Sequence, residues 1–337
     1  MKDGVKVAAG LRHVSDDEPG LTRIRRGRGF SYHLPDGARL KCATTRARIA
    51  GLGIPPAWRD VWICRDGDGH IQATGIDAAG RKQYRYHPDW QDWRAQVKFD
   101  QLADFGGALP RLRRRAERDL DAPPGSQDFA LAALILLIDR AFLRIGSARH
   151  TARSGTYGAT TLLRRHLRIH DAGRVELRFR AKGGKQVRRR LDDRRLHRAL
   201  ERIADLPGAA LFTWIDGQGD PRPVSSQMVN AYLAEACGLE AITAKTFRTW
   251  SGSVAALSAL RQAQERATIK ALCAEAAEVL HNTPAICRAS YIHPLLFDLV
   301  DLPAKDRLAR LGNRAPTAPR GLHADERRLF RLLTAGL

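Results

Sequence analysis

One tyrosine and four charged or polar side chains, far apart in the chain, together have the composition of a phosphodiester-cleaving site. Tyr291 lies in the segment SYIHP. A tyrosine has a pKa near ~10 and is a weak nucleophile unless cations stabilise its phenolate. Arginines do this, and they also stabilise the phosphorane that forms when a phenolate attacks phosphorus. A single tyrosine usually serves only to pack the core. The hypothesis that Tyr291 is a nucleophile therefore depends on four other residues that are predicted to lie near it: Arg144, Lys182, Arg248 and Asn282.

The helices and loops that contain these residues can be predicted from the surrounding sequence. Arg144 follows the apolar run FALAALILLIDRAFL, which indicates a buried helix. Arg248 lies near the start of a helix predicted over residues 246–262, with further helices over 226–237 and 266–281. Asn282-Thr283-Pro284 interrupts the last of these, and the helix is expected to resume over Ala285–Leu299, with Tyr291 inside it.

The positive charge of the chain is concentrated around Lys182. Residues 144–198 contain 17 Lys and Arg against four acids. Within this stretch Val175, Leu177 and Phe179 alternate with Glu176, Arg178 and Arg180, which is typical of a half-exposed strand. The segment KGGK, from Lys182 to Lys185, predicts the turn, and Val187 begins the return strand. The four acids lie on either side of RFRAKGGKQVRRRL, residues 178–191, so we expect a basic hairpin whose outer arginines face phosphates, not a salt-bridged face.

The first part of the chain has the sequence pattern of strands and turns, unlike the helical pattern that follows it. Residues 20 to about 95 read as short strands and turns over GFSYHL, PDGARL, VWIC, HIQATGI and RKQYRYHP, with a short helix over Thr45–Leu52. Two Asp-Gly pairs between VWIC and HIQATGI predict a hairpin. The sequence therefore predicts an α+β protein with a small β-rich N-terminal domain over 1–95. A mainly α-helical domain containing the basic β-hairpin is expected over 96–337.

The segment GRKQYRYHPDW has the residue types of a nucleic-acid groove. In a strand Tyr84 and Tyr86 share one face. Cations interleave with them, namely Arg81, Lys82 and Arg85, and Gln83 supplies an amide able to contact a base edge. The alternative is a tyrosine pair that packs on the core, and the segment alone does not decide between the two.

Composition excludes several classes of protein. The 337 residues are 44% hydrophobic and 28% charged, which is ordinary for a globular protein, and the net charge of +21 predicts a polyanionic partner. The longest apolar run, Phe129–Ile138, is far shorter than the ~18 residues of a membrane span. The first ten residues lack the apolar stretch of a secretory signal, so we expect no membrane association. Five cysteines without C-x-x-C spacing favour a reduced cytoplasmic protein.

No cofactor is expected. His166 and His170 have the i, i+4 spacing of a metal pair on a helix, but no carboxylate accompanies them and arginines lie nearby, so no metal site is predicted. The sequence has no G-x-x-x-x-G-K-[ST] loop, which argues against a nucleotide triphosphatase. Cys287, four residues before Tyr291, is interpreted as a core-facing helix residue.

Five short motifs in order resemble the bacterial, poxvirus-like DNA topoisomerases of type IB. They are R-I-G at Arg144, the hairpin Lys182, K-x-x-R from Lys245 to Arg248, N-T-P at Asn282, and S-Y-I-H-P around Tyr291. The N-terminal G-R-K-Q-Y-R-Y-H-P is similar to the strand by which that group contacts the major groove. The resemblance extends from about Gly10 to about Val300. It implies a catalytic domain related to the tyrosine recombinase catalytic fold, and a monomer that clamps double-stranded DNA in the nucleoid.

The resemblance also implies a role for each matched residue. Tyr291 attacks the phosphodiester to form a 3′-phosphotyrosyl link, Arg144 and Arg248 hold the non-bridging oxygens, and Lys182 protonates the departing 5′-oxygen. Strand rotation and religation then relax supercoils without ATP or a required metal. The fifth position is His in poxviral and eukaryotic relatives, and here it is Asn282, which donates a hydrogen bond but carries no charge. His281 is the alternative for this role. The implied DNA contacts are Arg81, Lys82, Gln83, Tyr84, Tyr86, Lys185 and Lys245.

Two rival functions explain part of the pattern. A tyrosine recombinase or integrase shares the Arg–Lys–Arg–Tyr chemistry, but it would usually carry a helical core-binding domain where this chain predicts strands. A non-enzymatic basic DNA- or RNA-binding protein would explain the charge. It would not explain the order of Arg144, Lys182, Arg248 and Tyr291.

Overall fold

The chain forms two compact units, Met1–Lys98 and Phe99–Leu337, in a computed structural model that describes residues 10–264, 266–312 and 318–335. The first unit contains a small antiparallel sheet and the second is mainly helical, so the protein is mixed α/β. The boundary predicted after residue 95 lies inside a helix, Pro88–Asp119, and not in a loop. No helix in the described ranges combines the length and the apolar character needed to cross a membrane.

The first unit is built on a five-stranded sheet with the order β2-β1-β3-β4-β5. Its elements are β1 (Leu21–Arg26), β2 (Gly29–His33), α1 (Ala43–Gly51), β3 (Arg59–Ile63), β4 (Ile71–Ile76) and β5 (Lys82–Tyr86). The sheet buries Leu21, Ile63 and Ala73 against Ile49 of α1. The hairpin predicted over VWIC and HIQATGI is confirmed as β3 and β4.

The segment Pro35–Leu40, in the region predicted as short strands and turns, forms a turn. Asp36 accepts a hydrogen bond from the Ala38 amide, and the Leu34 amide donates to the Ala38 carbonyl, which closes a turn. A side chain that satisfies its own backbone in this way competes with strand pairing. The segment keeps only one isolated bridge, between His33 and Arg39.

The second unit consists of eleven helices and two small sheets within the described residues. The helices are α2 (Pro88–Asp119), α3 (Gln127–Ala141), α4 (Ala148–Ser154), α5 (Arg194–Ala204), α6 (Ser226–Cys237), α7 (Ala244–Gln262), α8 (Ile269–Leu280), α9 (Pro284–Ser290), α10 (Leu295–Asp298), α11 (Ala304–Gly312) and α12 (Ala324–Ala335). The strands are β6 (Leu167–His170), β7 (Arg174–Arg180), β8 (Gln186–Asp192), β9 (Thr213–Ile215) and β10 (Pro221–Pro223). β6, β7 and β8 form one antiparallel sheet, and β9 pairs with β10.

Two helices form the centre of this unit. In α3 nearly every residue from Phe129 to Ala141 is buried, as the apolar run predicts. The Ser126 hydroxyl caps its start by accepting from the Phe129 amide, and Phe142 ends it in the left-handed conformation with φ 53°. α7 is buried along most of its length and packs against α8. The helices predicted over 226–237, 246–262 and 266–281 are confirmed.

A buried ion network attaches the C-terminal helix to α7. Arg113 of α2 pairs with Asp139 at 2.9 Å and with Glu326 of α12 at 2.8 Å. Glu326 also accepts a hydrogen bond from the Trp250 indole of α7. At the other end of α7, the fully buried Arg307 donates to the Leu260 and Ala263 carbonyls. These contacts support both ends of the helix that carries Arg248.

Candidate active site

α7 brings Arg248 and Tyr291 together. Arg248 is 3% exposed, and its guanidinium carbon lies 5.0 Å from the centroid of the Tyr291 ring. The guanidinium donates to the Phe142 carbonyl and, at 2.9 Å, to the Leu280 carbonyl. Since these carbonyls lie at the ends of α3 and α8, one buried arginine ties three helices together around the tyrosine.

Tyr291 lies at the end of a helix and not inside one. The continuous helix predicted over Ala285–Leu299 is wrong, because α9 ends at Ser290 and α10 begins only at Leu295. The Tyr291 amide still donates to the Cys287 carbonyl as the helix cap, with φ −132°. The break places the ring, 9% exposed, beside α7.

The backbone of Tyr291 packs directly on α7 at a glycine. A Cβ at Gly252 would lie 2.6 Å from the Tyr291 carbonyl oxygen, so only glycine fits without movement. The neighbouring Ser253 hydroxyl donates to the same carbonyl and accepts from the His293 amide at 3.0 Å. The positions of Arg248 and Tyr291 are therefore set by the same two turns of helix.

Arg144 is held by a loop that packs glycine against glycine. Gly146 has φ 83°, and a Cβ at Gly158 would lie 2.6 Å from the Arg144 carbonyl oxygen. The Ala159 amide donates to that same carbonyl at 2.8 Å. The R-I-G motif thus supplies an arginine and also the glycine that lets the loop pack closely against Gly158.

A small cavity gathers the cationic side chains of this region. Arg144 and Arg248 both line it, as do Arg189 and His281. Its remaining walls come from the ends of α3 and α8, from the loop after α4 and from the β7–β8 hairpin: Ala141, Phe142, Leu143, Tyr157, Gly158, Phe179, Ala181, Val187 and Leu280. Burial and the neighbouring charge of Arg144 lower the pKa of Arg248. A site that holds cations this close is suited to an anion.

His281 and Asn282 differ in their position relative to this cavity. His281 ends α8 in the left-handed conformation with φ 45° and lines the cavity, whereas Asn282 is not among the lining residues. Burial and the charge of Arg189 lower the pKa of His281, which favours the neutral ring. Among the described residues, neither His281 Nε2 nor Asn282 Nδ2 has a hydrogen-bond partner, although both atoms are buried.

Lys182 lies outside the cavity, in the turn between β7 and β8. The predicted hairpin is confirmed, with Leu177 opposite Arg189 and Phe179 opposite Val187. Lys182 is exposed and is followed by Gly183 at φ 80°, which turns the chain. Lys185 in the same turn and Lys245 at the start of α7 are also exposed.

The outer face of this hairpin is salt-bridged, and the expectation of free outer arginines is wrong. Glu176 is 2% exposed, and its carboxylate accepts from Arg178, from Arg188 at 2.7 Å and from Arg190 at 3.0 Å. Hydrogen bonds from Arg178, and then those from Arg190 and Arg188, lower the pKa of Glu176 to about 2. The face is therefore salt-bridged, because cross-strand pairing places Arg188 and Arg190, which are distant in sequence, beside Glu176 and its near neighbour Arg178.

The predicted DNA-contact residues of the first unit lie on β5, apart from Arg81, which directly precedes it. Tyr84 and Tyr86 are 41% and 36% exposed and stack with ring centroids 5.7 Å apart, so they do not pack into the core. Lys82 pairs with Asp16, whereas Arg81 and Gln83 both donate to Asp77. Intramolecular carboxylates thus orient three of the five side chains.

Two further expectations concern the histidine pair and the cysteine. His166 and His170 lie in a 3-10 turn and in β6, not on one helix, and His166 accepts from the Leu163 amide. Over residues 10–264, 266–312 and 318–335, no group of three or more His, Cys, Asp or Glu is placed to hold a metal ion. Cys287 is fully buried as predicted, and burial raises the pKa of its thiol to about 11.

Sequence reasoning missed Arg189, Gly252, Ser253 and Gly158 as parts of the site. A signal existed for Arg189, since period-two alternation from Val187 places residue 189 on the inner face of the strand. None existed for Gly252, Ser253 or Gly158, because their role depends on contacts with residues distant in sequence.

Comparison with known proteins identifies relatives of both units. The family model described as "Bacterial DNA topoisomerase IB, N-terminal domain" matches residues 29–77. The model described as "Eukaryotic DNA topoisomerase I, catalytic core" matches residues 87–290 and ends one residue before Tyr291. The protein named "DNA topoisomerase 1B" of Acanthamoeba polyphaga mimivirus is 30% identical over 287 residues, which cover 81% of this chain and 85% of that protein.

Proposed function

Because this chain belongs to the type IB DNA topoisomerase family, we propose that Tyr291 cleaves one strand of duplex DNA and thereby allows supercoils to relax. The protein is a type I topoisomerase and binds DNA. The single observation that best supports Tyr291 as the nucleophile is the Arg248 guanidinium carbon 5.0 Å from its ring. Arg144, in the cavity beside it, supplies a second cation.

The proposed reaction exchanges one phosphodiester for another. The Tyr291 hydroxyl loses its proton to water, and its oxygen bonds to phosphorus as the bond from phosphorus to the 5′-oxygen breaks, leaving a 3′-phosphotyrosyl link and a free 5′-hydroxyl. The free strand rotates about the intact one. The 5′-hydroxyl then attacks phosphorus and releases Tyr291. Since the ester conserves the energy of the broken bond, the cycle consumes no ATP.

The cations have separate roles in this proposal. Arg144 and Arg248 bind the non-bridging oxygens and stabilise the charge that develops on them, which is worth most in a site shielded from water. Asn282 donates a further hydrogen bond to a phosphoryl oxygen. Its Nδ2 is buried and has no partner among the described residues, so this donor is available.

Lys182 is proposed as the general acid. Its ammonium gives a proton to the departing 5′-oxygen and recovers one from the 5′-hydroxyl at religation. Lys182 is exposed in the hairpin turn and does not line the cavity, so we expect the turn to move towards the cavity when DNA binds.

The DNA contacts are proposed on both domains, assigned to residues 1–95 and 96–337. Tyr84 and Tyr86 present stacked, exposed rings on β5, beside Arg81, Lys82 and Gln83. On the second domain Lys185 and Lys245 are exposed. We propose a monomer that clamps the duplex and associates with the nucleoid. A relation of the catalytic domain to the tyrosine recombinase fold is supported by the shared order of Arg, Lys, Arg and Tyr.

Plasmid relaxation tests this function. Purified wild type and Tyr291→Phe are incubated with positively and with negatively supercoiled plasmid, with EDTA and without ATP. We expect relaxation of both signs by wild type and none by the variant. The variant should still bind DNA, because Phe keeps the ring packing against Arg248.

Two results would contradict the proposal. Relaxation by Tyr291→Phe would mean a different nucleophile. Failure of wild type to relax plasmid while it still shifts DNA in a gel would favour a site-specific recombinase or a binding protein.

A further inference from the structure

Arg189 occupies a position in β8 where an apolar side chain would be expected. Successive side chains in a strand point to opposite faces of the sheet. Val187 is buried and Leu191 packs against the core, so residue 189 between them faces inward as well. Arg188 and Arg190 point outward to Glu176. The chain therefore places a guanidinium on the core side of the hairpin.

The inward direction brings Arg189 to the candidate active site. It lines the same cavity as Arg144 and Arg248. One Nη donates to the Val279 carbonyl near the end of α8, which anchors the side chain. Its Nε is buried and has no hydrogen-bond partner among the described residues. A buried donor without a partner is costly, so the free N–H marks a place for an acceptor.

The electrostatics of the cavity identify the kind of acceptor. Burial and the charge of Arg248 lower the pKa of Arg189 to about 10, so the side chain remains a cation at neutral pH. No ion pair between Arg189 and an acidic side chain occurs in the part of the chain that the structure describes. Cations held this close repel each other in a site of low dielectric. An entering anion relieves the repulsion and satisfies the free N–H.

We propose that Arg189 is a third arginine of the cleavage site and binds the scissile phosphate through its free Nε, beside Arg144 and Arg248. This inference rests on the proposed function of Tyr291. The contrasting role is purely structural, in which Arg189 only holds the end of α8 through the Val279 carbonyl.

The test compares two substrates that differ at one oxygen. Arg189→Met in the full chain is mixed in excess with a short duplex that traps the covalent adduct. The scissile phosphate is either normal or a methylphosphonate, in which a methyl group replaces one charged oxygen. Loss of one donor to a transition-state oxygen costs about 10²–10³-fold in rate. We expect that loss on the phosphate, and a loss under ~10-fold on the stereoisomer that lacks the contacted oxygen.

A structural role predicts a different pattern. If Arg189→Met slows cleavage equally on phosphate and on both methylphosphonate stereoisomers, or does not slow it at all, the proposal is wrong. Arg189→Gln is the second variant, since its amide still donates to the Val279 carbonyl while the charge is lost. The same substrate dependence is expected of it.

Two controls separate the possible failures. Arg202→Met removes another guanidinium that donates to backbone carbonyls, those of Leu120 and Ala122, away from the cavity. It should cleave within ~3-fold of wild type on each substrate, as expected for a site outside the reaction. Adduct formation by wild type and not by Tyr291→Phe upholds the proposed function whatever Arg189→Met does. No adduct with wild type would overturn both.

Discussion

Gly252→Ala should separate the Tyr291 ring from its cations without altering any proposed catalytic group. The added Cβ would lie 2.6 Å from the Tyr291 carbonyl oxygen and 3.1 Å from Leu280 Cδ1. A carbon and a carbonyl oxygen approach no closer than about 3.3 Å, so the Tyr291 backbone must move by about 0.7 Å. Since a misplacement of 1 Å in a catalytic group costs roughly 10²-fold, we expect cleavage to slow by about 10–100-fold.

The assay is single-turnover adduct formation on a short trapping duplex, with enzyme in excess so that DNA affinity does not limit the rate. Gly107→Ala is the matched control. Its Cβ would lie 3.6 Å from the nearest atom, a ring carbon of Phe330, which is ordinary contact at an exposed position of another helix. A folded Gly252→Ala that cleaves at the wild-type rate would refute the argument that this glycine positions Tyr291.

Two further predictions concern proton transfer and protonation. Lys182→Ala should slow cleavage by about 10²–10⁴-fold. A substrate with a 5′-sulfur leaving group should restore the rate, because that leaving group needs no proton. Cleavage of the unmodified duplex at the wild-type rate would exclude Lys182 as the general acid. The second prediction follows from burial, which lowers the pKa of His70, His166 and His281 in the folded state. The unfolded chain therefore binds more protons, and the midpoint of thermal unfolding should fall as the pH drops below about 6.5. Equal midpoints at pH 7.5 and pH 5.5 would contradict this reasoning.

Local patterns were sufficient for most of the secondary structure. The apolar run before Arg144 predicts a buried helix, and the alternation around Phe179 predicts a strand, because each depends on neighbours a few residues away. Helix breaks were harder to place. The end of α9 at Ser290 has a local signal in Pro294, whose ring clashes with a helical carbonyl four residues earlier. The inward packing of Tyr291 and Ile292 after this break has no such signal.

The main chemical groups of the candidate site could also be predicted from the sequence, but not the full set of residues that form it. Tyr291, Arg144, Lys182 and Arg248 were recognisable by type and order. In the structure Arg144 and Arg248 line one cavity, Tyr291 lies beside Arg248, and Lys182 lies outside the cavity. The outer face of the hairpin was misjudged, because Glu176 meets Arg188 and Arg190 only through cross-strand pairing. Charge counting along the chain carries no information on such pairs.

The amino-acid sequence by itself therefore determined which chemical groups the protein has, their order and the local elements that carry them. Only the tertiary structure decided which groups meet. Arg189 joins Arg144 and Arg248 because the strand pairing turns it inward, and Tyr291 reaches α7 because Gly252 leaves room for its carbonyl. Both arrangements depend on contacts between residues far apart in the chain. Such contacts form only once burial of the shared core offsets the entropy of closing the intervening loops.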